Sequence, residues 1–385
     1  MSVRSTPHDH TVAIMRAESY QLSIVRDAVE KGIRAIGMKL PRRKRVLLKP
    51  NVLSQNRPAQ CTTTHPAVVE AVIAILKDNG NEIIIGESSA FYQNGHTLKG
   101  FLTSGMTALA ARYGARLCAF EVDGVEAAHN VGRTLPEKIL LPRILHETDF
   151  IINLPKLKTH SFFMLSGAVK NCLGFVPGGA KYEYHYLNGI GRTVFGEKLA
   201  DIVQTVRPDL SIMDAVIGLE GPGPSAIGKP RHTGLILVSA NPFALDYAAA
   251  EVIGYSPREI SSTEAGVKRK LLVPANIRIT GDFDAPPSVC YAKPVIGADT
   301  PKEKNVLYRL IAVRPALVKR RCLSCGICAR VCPLGAIRID EYPVFDYAKC
   351  LNCLYCHYSC PAGAIALKGS FFNPLVRLIR RIAGL

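Results

Sequence analysis

The sequence has no apolar stretch long enough to span a membrane, and its opening residues, MSVRSTPHDHTVAIMRAE, hold no apolar core of signal-peptide length. These two absences lead to the expectation of a soluble, cytoplasmic protein. Several short signatures of cofactor and hydrolase sites are also missing. There is no G-x-G-x-x-G after a strand, no G-x-x-x-x-G-K-[ST], no H-E-x-x-H and no G-x-S-x-G. Gly189-Ile-Gly191 falls short of a dinucleotide fingerprint, so no nicotinamide or ATP site of the usual kind is predicted. Basic residues do not interleave with aromatics in a nucleic-acid-binding pattern, and nucleic acid is not predicted as a partner.

The chain has 385 residues, too many for one ordinary core, with 48% hydrophobic and 21% charged residues. That balance excludes wholesale disorder. The net charge of +17 is compatible with nucleic acid, a membrane surface or small anions and does not choose among them. Cysteine usage is more informative. Eight of the twelve cysteines fall between Cys322 and Cys360. A disulfide scaffold spreads its cysteines through a small secreted chain, whereas local packing of this kind points to metal binding in a reducing compartment.

Those eight form an internal repeat. Cys322-Leu-Ser-Cys325-Gly-Ile-Cys328-Ala-Arg-Val-Cys332-Pro333 is followed by Cys350-Leu-Asn-Cys353-Leu-Tyr-Cys356-His-Tyr-Ser-Cys360-Pro361. Three thiolates at consecutive x₂ spacings wrap three corners of a cuboidal cluster, and the fourth, after x₃, reaches the neighbouring cluster. The prediction is two [4Fe–4S] clusters. The first takes Cys322, Cys325, Cys328 and Cys360, and the second takes Cys350, Cys353, Cys356 and Cys332. Structural zinc sites pair two C-x₂-C halves and fit this spacing poorly. The segment resembles bacterial ferredoxins and reads as a small α+β module over residues 318–369. Its basic residues, Lys319, Arg320, Arg321, Arg330, Arg338, Lys349 and Lys368, outnumber Asp340, Glu341 and Asp346, which suits an acidic electron-transfer partner such as a ferredoxin.

Residues 1–290 alternate strand and helix patterns. Strands are expected at Thr11–Ala17, Arg45–Leu53, Glu82–Glu87, Ala115–Phe120, Asp149–Leu154, Leu210–Ile217 and Thr233–Ser239. Helices are expected at Gln21–Met38, Pro66–Asn79, Leu98–Tyr113 and Phe243–Ile253. The alternation predicts an α/β fold with a mostly parallel sheet flanked by helices, and ligands at the carboxyl ends of its strands. Residues 291–317 read as a linker or covering segment. Residues 370–385 read as a basic amphipathic tail that packs on the protein itself in preference to a membrane surface.

Lys49-Pro50-Asn51, Thr64-His65-Pro66, Gly86-Glu87-Ser88 and Leu154-Pro155-Lys156-Leu157-Lys158-Thr159-His160 recur as a set with Ala168-Val169-Lys170-Asn171-Cys172-Leu173-Gly174, Met213-Asp214-Ala215, Glu220-Gly221-Pro222-Gly223-Pro224 and Asn241-Pro242-Phe243-Ala244-Leu245-Asp246. Together they resemble the domain-of-unknown-function 362 family, in the variety with a C-terminal ferredoxin-like unit. The family implies no settled reaction, so the residues themselves must suggest one. Lysines gathered at one sheet edge repel unless an anion sits among them. Lys49, Asn51, His65, Ser88, Asn171, Lys181, His185 and Glu220 are therefore expected to bind an anionic small molecule, with Lys156, Lys158, His160, Lys170 and Asp214 as candidate catalytic groups. The segment Val176–His185 reads as a mobile loop over the pocket, Asp246 as a partner of its own helix dipole, and Cys172 as a buried inert thiol. The leading functional expectation is an oxidoreductase passing electrons from the clusters to the bound anion. The alternatives are a non-catalytic electron-transfer or cluster-handling partner of another enzyme, and a non-redox enzyme with structural clusters.

Overall fold

The computed structural model describes residues 10–89, 96–161, 163–186, 191–224, 228–294, 313–332, 334–350 and 355–369. The expected tail, Cys353, Pro333 and the His185 side chain lie outside them.

Among the described residues, twelve strands belong to the large domain. They are β1 (Thr11–Arg16), β2 (Arg45–Pro50), β3 (Glu82–Glu87), β4 (Arg116–Ala119), β5 (Val125–His129), β6 (Lys138–Pro142), β7 (Phe150–Leu154), β8 (Lys156–His160), β9 (Met164–Ser166), β10 (Leu210–Glu220), β11 (Lys229–Ser239) and β12 (Arg278–Gly281). Ten of them form one sheet in the order β12-β1-β11-β10-β7-β2-β3-β4, with β8 and β9 attached beyond β10. Neighbours from β4 through β3, β2 and β7 to β10 run parallel, while β11 is antiparallel to both β10 and β1. The mostly parallel α/β sheet is thus present as expected.

The apolar runs that end in charged residues explain the layering. In β2, Val46 and Leu48 pack into one core with the helices Leu22–Ala35 and Pro66–Asp78, and Leu47 faces the other core with Arg192–Val206 and Pro242–Val252. A strand buried on both faces has no solvent side, so its sequence is continuously apolar rather than alternating. At the end of such a strand the first charged residue, Lys49 or Glu87, has to be placed at the sheet's rim.

Three local expectations change. Leu98–Tyr113 is two helices, His96–Thr103 and Met106–Tyr113, because Gly105 turns the chain at φ 84°. Val176–His185 is no loop throughout: Ala180–Tyr186 is a helix, pinned where the buried Tyr184 hydroxyl accepts the Leu140 N–H at 2.7 Å. Asp246 serves another helix. Its carboxylate accepts the N–H groups of Ala168 and Val169 at 2.5 and 3.0 Å, capping Ala168–Asn171. Burial pushes the Asp246 carboxyl up to about 7.

In the small module, Val313–Leu317 pairs antiparallel with Ile365–Gly369, and Ile337–Asp340 with Tyr342–Phe345. The short helix Tyr355–Tyr358 packs against Phe120–Asp123 of the large domain. No helix among the described residues is long and apolar enough to cross a membrane.

Asp201 ties the β5–β6 hairpin to the rest. Fully buried, it accepts the N–H groups of Arg133, Thr134 and Leu135 and pairs with Arg269 at 2.5 Å. Replacing Asp201 by Ala leaves three amides without their acceptor and the mostly buried Arg269 guanidinium with Glu197 alone as its carboxylate partner. It is expected to cost about 3–5 kcal/mol, read as a lowered denaturation midpoint, whereas the more exposed Arg26 to Ala change should cost less than about 1 kcal/mol.

Candidate functional site

The strand order reverses between β2 and β7: β2 leads to β3 on one side, and β7 leads to β10 on the other. Such a switch point opens a crevice beyond the carboxyl ends of the strands. Here it is an open cleft lined by Asn51, Glu87, Ser88, Lys158, Lys170, Asn171 and Lys181, among others.

Its floor is an ion pair. Lys49 and Glu87 end adjacent parallel strands and meet at 2.7 Å, both buried. The Glu87 carboxylate also accepts the N–H groups of Ser88 and Val52 at 2.8 and 3.1 Å. Gly174 closes over the pair, where a Cβ would stand 2.1 Å from Glu87 Oε1 and 2.5 Å from Lys49 Nζ. Beside it runs an amide chain. Asn51 Nδ2 donates to Asn171 Oδ1 at 2.8 Å, and Asn171 Nδ2 donates to Asn153 Oδ1 at 2.8 Å.

Pro155 breaks the strand line after β7, and β8 resumes along the long β10. Lys156 and Lys158, two apart, then project to the same side. Lys156 is neutralised, donating to Asp214 at 2.8 Å and to the Tyr20 hydroxyl at 2.7 Å. Asp214 is fully buried and also accepts the Tyr20 O–H and the His65 N–H, each at 2.8 Å. It holds Lys156 rather than facing the cleft. Tyr20 stacks on His65 at 3.6 Å, and burial lowers the imidazole to about 4, so His65 is neutral at pH 7 and caps its helix by accepting Ala67 N–H.

Lys158 is different. It is 1% exposed and donates to Asn51 Oδ1 and the Thr62 carbonyl, both at 2.6 Å. Among the described residues neither Lys158 nor Lys170 has a carboxylate within ion-pair distance. Burial first, then the charges of Lys170, Lys156 and Lys49, holds Lys158 well below the usual lysine range. Burial brings Lys170 and Lys181 down to about 8. Lys170 lies 5.1 Å over the Phe163 ring, and Lys181 donates to Ser88 Oγ at 2.7 Å. Among the described residues, Lys158 and Lys170 therefore stand in the cleft without a carboxylate at ion-pair distance.

Of the residues expected here, Asn51, Ser88, Lys158, Lys170, Asn171 and Lys181 line the cleft, with Lys49 beneath it. His65, Lys156 and Asp214 form the neighbouring cluster. His160 packs on Phe163 at 4.9 Å, and Glu220 accepts the Ala292 N–H at 2.9 Å; neither lines the cleft. Sequence reasoning missed Glu87, Tyr20, Asn153 and Gly174. A carboxylate closing the apolar run Glu82–Glu87 beside a run closed by Lys49 was the available signal. Cys172 is fully buried, and burial pushes its thiol up to about 12, as suits an inert thiol.

The cysteine module offers a second site. Cys322, Cys325, Cys328 and Cys360 line one small cavity with Leu323, Ile327 and Ile365. These are the four cysteines expected on the first cluster. Four soft ligands around one apolar-walled cavity fit an iron–sulfur centre.

Two outcomes test the cleft. Gly174 to Ala should displace the Lys49–Glu87 pair, lowering stability by about 1–3 kcal/mol in denaturant titration. Titration of a small anion such as phosphate should show affinity falling as pH rises through about 8, because Lys170 and Lys181 are cations below that value and neutral above it.

Comparison with known proteins adds the family. The profile of the domain of unknown function called DUF362 matches residues 46–251, and that of a 4Fe–4S dicluster domain matches residues 321–364. A thylakoid-associated protein of Synechocystis sp. is 32% identical over 283 residues, covering 72% of this chain and 84% of that one. The lactate racemase apoprotein of Thermoanaerobacterium thermosaccharolyticum shares 14% identity at a TM-score of 0.35, over 61% of this chain and 56% of that one, too distant to bear on function. This chain is an iron–sulfur protein, and it belongs to the DUF362 family.

Proposed function

We propose that the protein is an oxidoreductase in which two [4Fe–4S] clusters exchange electrons with a small anionic substrate bound in the lysine cleft. The observation that carries this reading is the pair of cleft lysines, Lys158 and Lys170, that lack a carboxylate partner among the described residues. Desolvated ammonium groups without counter-charge are costly, and an anionic ligand removes that cost.

When bound, the clusters supply single electrons. The chain's own groups do the rest. Lys158 Nζ, fixed by Asn51 and Thr62, contributes a positioned charge. Ser88 and the amides of Asn51 and Asn171 contribute neutral hydrogen bonds along the rim. With Lys170 and Lys181 brought to about 8, either Nζ is able to give a proton near neutral pH to an anion that has gained electrons. Glu87 stays occupied with Lys49 and two backbone N–H groups, so it supports the floor. We place the protein in the cytoplasm, on the packing of its cysteines as local thiolate ligands.

Anaerobically purified protein should carry about eight iron and eight acid-labile sulfide per chain. After reduction by dithionite, a panel of small phosphates and carboxylates should contain at least one anion that reoxidises the clusters. The Lys158 to Met change should lower that anion's affinity by at least about tenfold, the loss of one charge-assisted contact. An unchanged affinity would remove the cleft from the account.

A further inference from the structure

The two sides of the cysteine module differ. On one side the helix Tyr355–Tyr358, which carries Cys356, packs against Phe120–Asp123, and Leu334 packs on the large domain's core. Phe120 in turn stacks on Phe175 at 5.7 Å, and Lys49 Nζ lies 5.7 Å over the Phe175 ring, directly at the cleft floor. This side is internal and leads toward the cleft.

The other side is open. The loop from Cys322 to Cys328 presents Leu323, 71% exposed, at the wall of the four-thiol cavity. Ile339, 42% exposed, stands beside the same loop: a Cβ on Gly326 would come 4.0 Å from Ile339 Cγ1 and 3.6 Å from Arg330 Nη1. The Ser324 hydroxyl donates to the Glu341 carbonyl at 2.8 Å, fixing loop and hairpin together. Lys319 lies 4.3 Å over the Tyr342 ring. Two exposed aliphatic side chains are thus framed by Lys319, Arg320, Arg321 and Arg330, all exposed. From Lys319 to Glu341 there are five basic residues against two acidic ones, Asp340 and Glu341, and Arg338 pairs with Asp340 at 3.4 Å, so the rim stays net positive. An apolar centre with a charged rim is the anatomy of a protein docking patch, and the rim's sign calls for an acidic partner.

We infer that an acidic electron-transfer protein docks on the Leu323–Ile339 face. Cys322, Cys325, Cys328 and Cys360 would hold the cluster at that face, which would take one electron from the partner's reduced centre, while the side carrying Cys356 faces the large domain. No bond is made or broken in that step. This inference rests on the redox reading of the module given above. A lipid surface is less well matched, since nothing about a lipid surface requires the exposed aliphatic pair to border the thiol-lined cavity.

The test uses the full iron-loaded chain, oxidised, with an acidic plant-type [2Fe–2S] ferredoxin immobilised as the probe. Binding should weaken as salt is raised. It should fall about tenfold or more in the double variant Arg320→Glu, Arg321→Glu, and also in Leu323→Asp. Variants that keep wild-type visible absorption show that the module is loaded. Arg26→Glu, on the large domain, and Lys158→Met, in the cleft, should bind like the parent. Retained ferredoxin binding with no anion binding in the cleft would sink the cleft reading and leave this one standing. Absence of ferredoxin binding, binding indifferent to the three substitutions, or association of the same face with phosphatidylserine vesicles in place of ferredoxin would each overturn it.

Discussion

The structure turns on one electrostatic constraint: ammonium groups brought to the rim of a parallel sheet have to be answered by negative charge. β2 carries Lys49 beside its last residue and β8 carries Lys156 and Lys158, and the rim supplies buried carboxylates for two of the three. Glu87 answers Lys49, and Asp214 answers Lys156. Lys158 is left with two neutral oxygens. A buried cation in that state loses several kcal/mol of hydration, and the protein relieves it only in part, by depressing the lysine's proton affinity. Loss of the proton or, on the proposed reading, binding of an anion makes the arrangement favourable. The surrounding amides, the Gly174 backbone and the capping of Ala168–Asn171 by Asp246 all serve to hold that geometry.

The parts of the fold legible in the sequence were those set by local periodicity and by strict spacing. Apolar runs such as those of β2 and β3 read as buried strands, and their edges came out within a few residues. The cysteine repeat was legible because cluster geometry fixes ligand spacing, and four of its members do line one cavity. Convergence of lysines was legible from their position at strand ends. Pairing was not. Lys156 and Lys158 look alike in sequence, yet one is neutralised and the other is not, because β8 re-pairs with β10 after Pro155 and sets Asp214 opposite Lys156. That register is a long-range fact. The same holds for Asp246, whose partners lie 78 and 77 residues away, and for Tyr20, 194 residues from Asp214. The helix Ala180–Tyr186 was read as loop because its glycine-rich lead-in outweighed the tertiary anchor of Tyr184.

The two halves of the molecule explain each other. On the proposed reading, the ferredoxin-like module supplies electrons and the lysine cleft holds the anion that receives them. Their contact through Tyr355–Tyr358 and Phe120–Asp123, with Phe175 beneath the cleft floor, supplies continuity between them.

The central claim is most directly tested by following the lysine side-chain nitrogens by NMR as pH is raised, with and without a small anion, and assigning Lys158 by comparison with Lys158→Met. The account predicts that the Lys158 midpoint lies well below that of an exposed lysine in the free protein and moves up when the anion is added. A midpoint in the ordinary lysine range, unmoved by any anion, would contradict it.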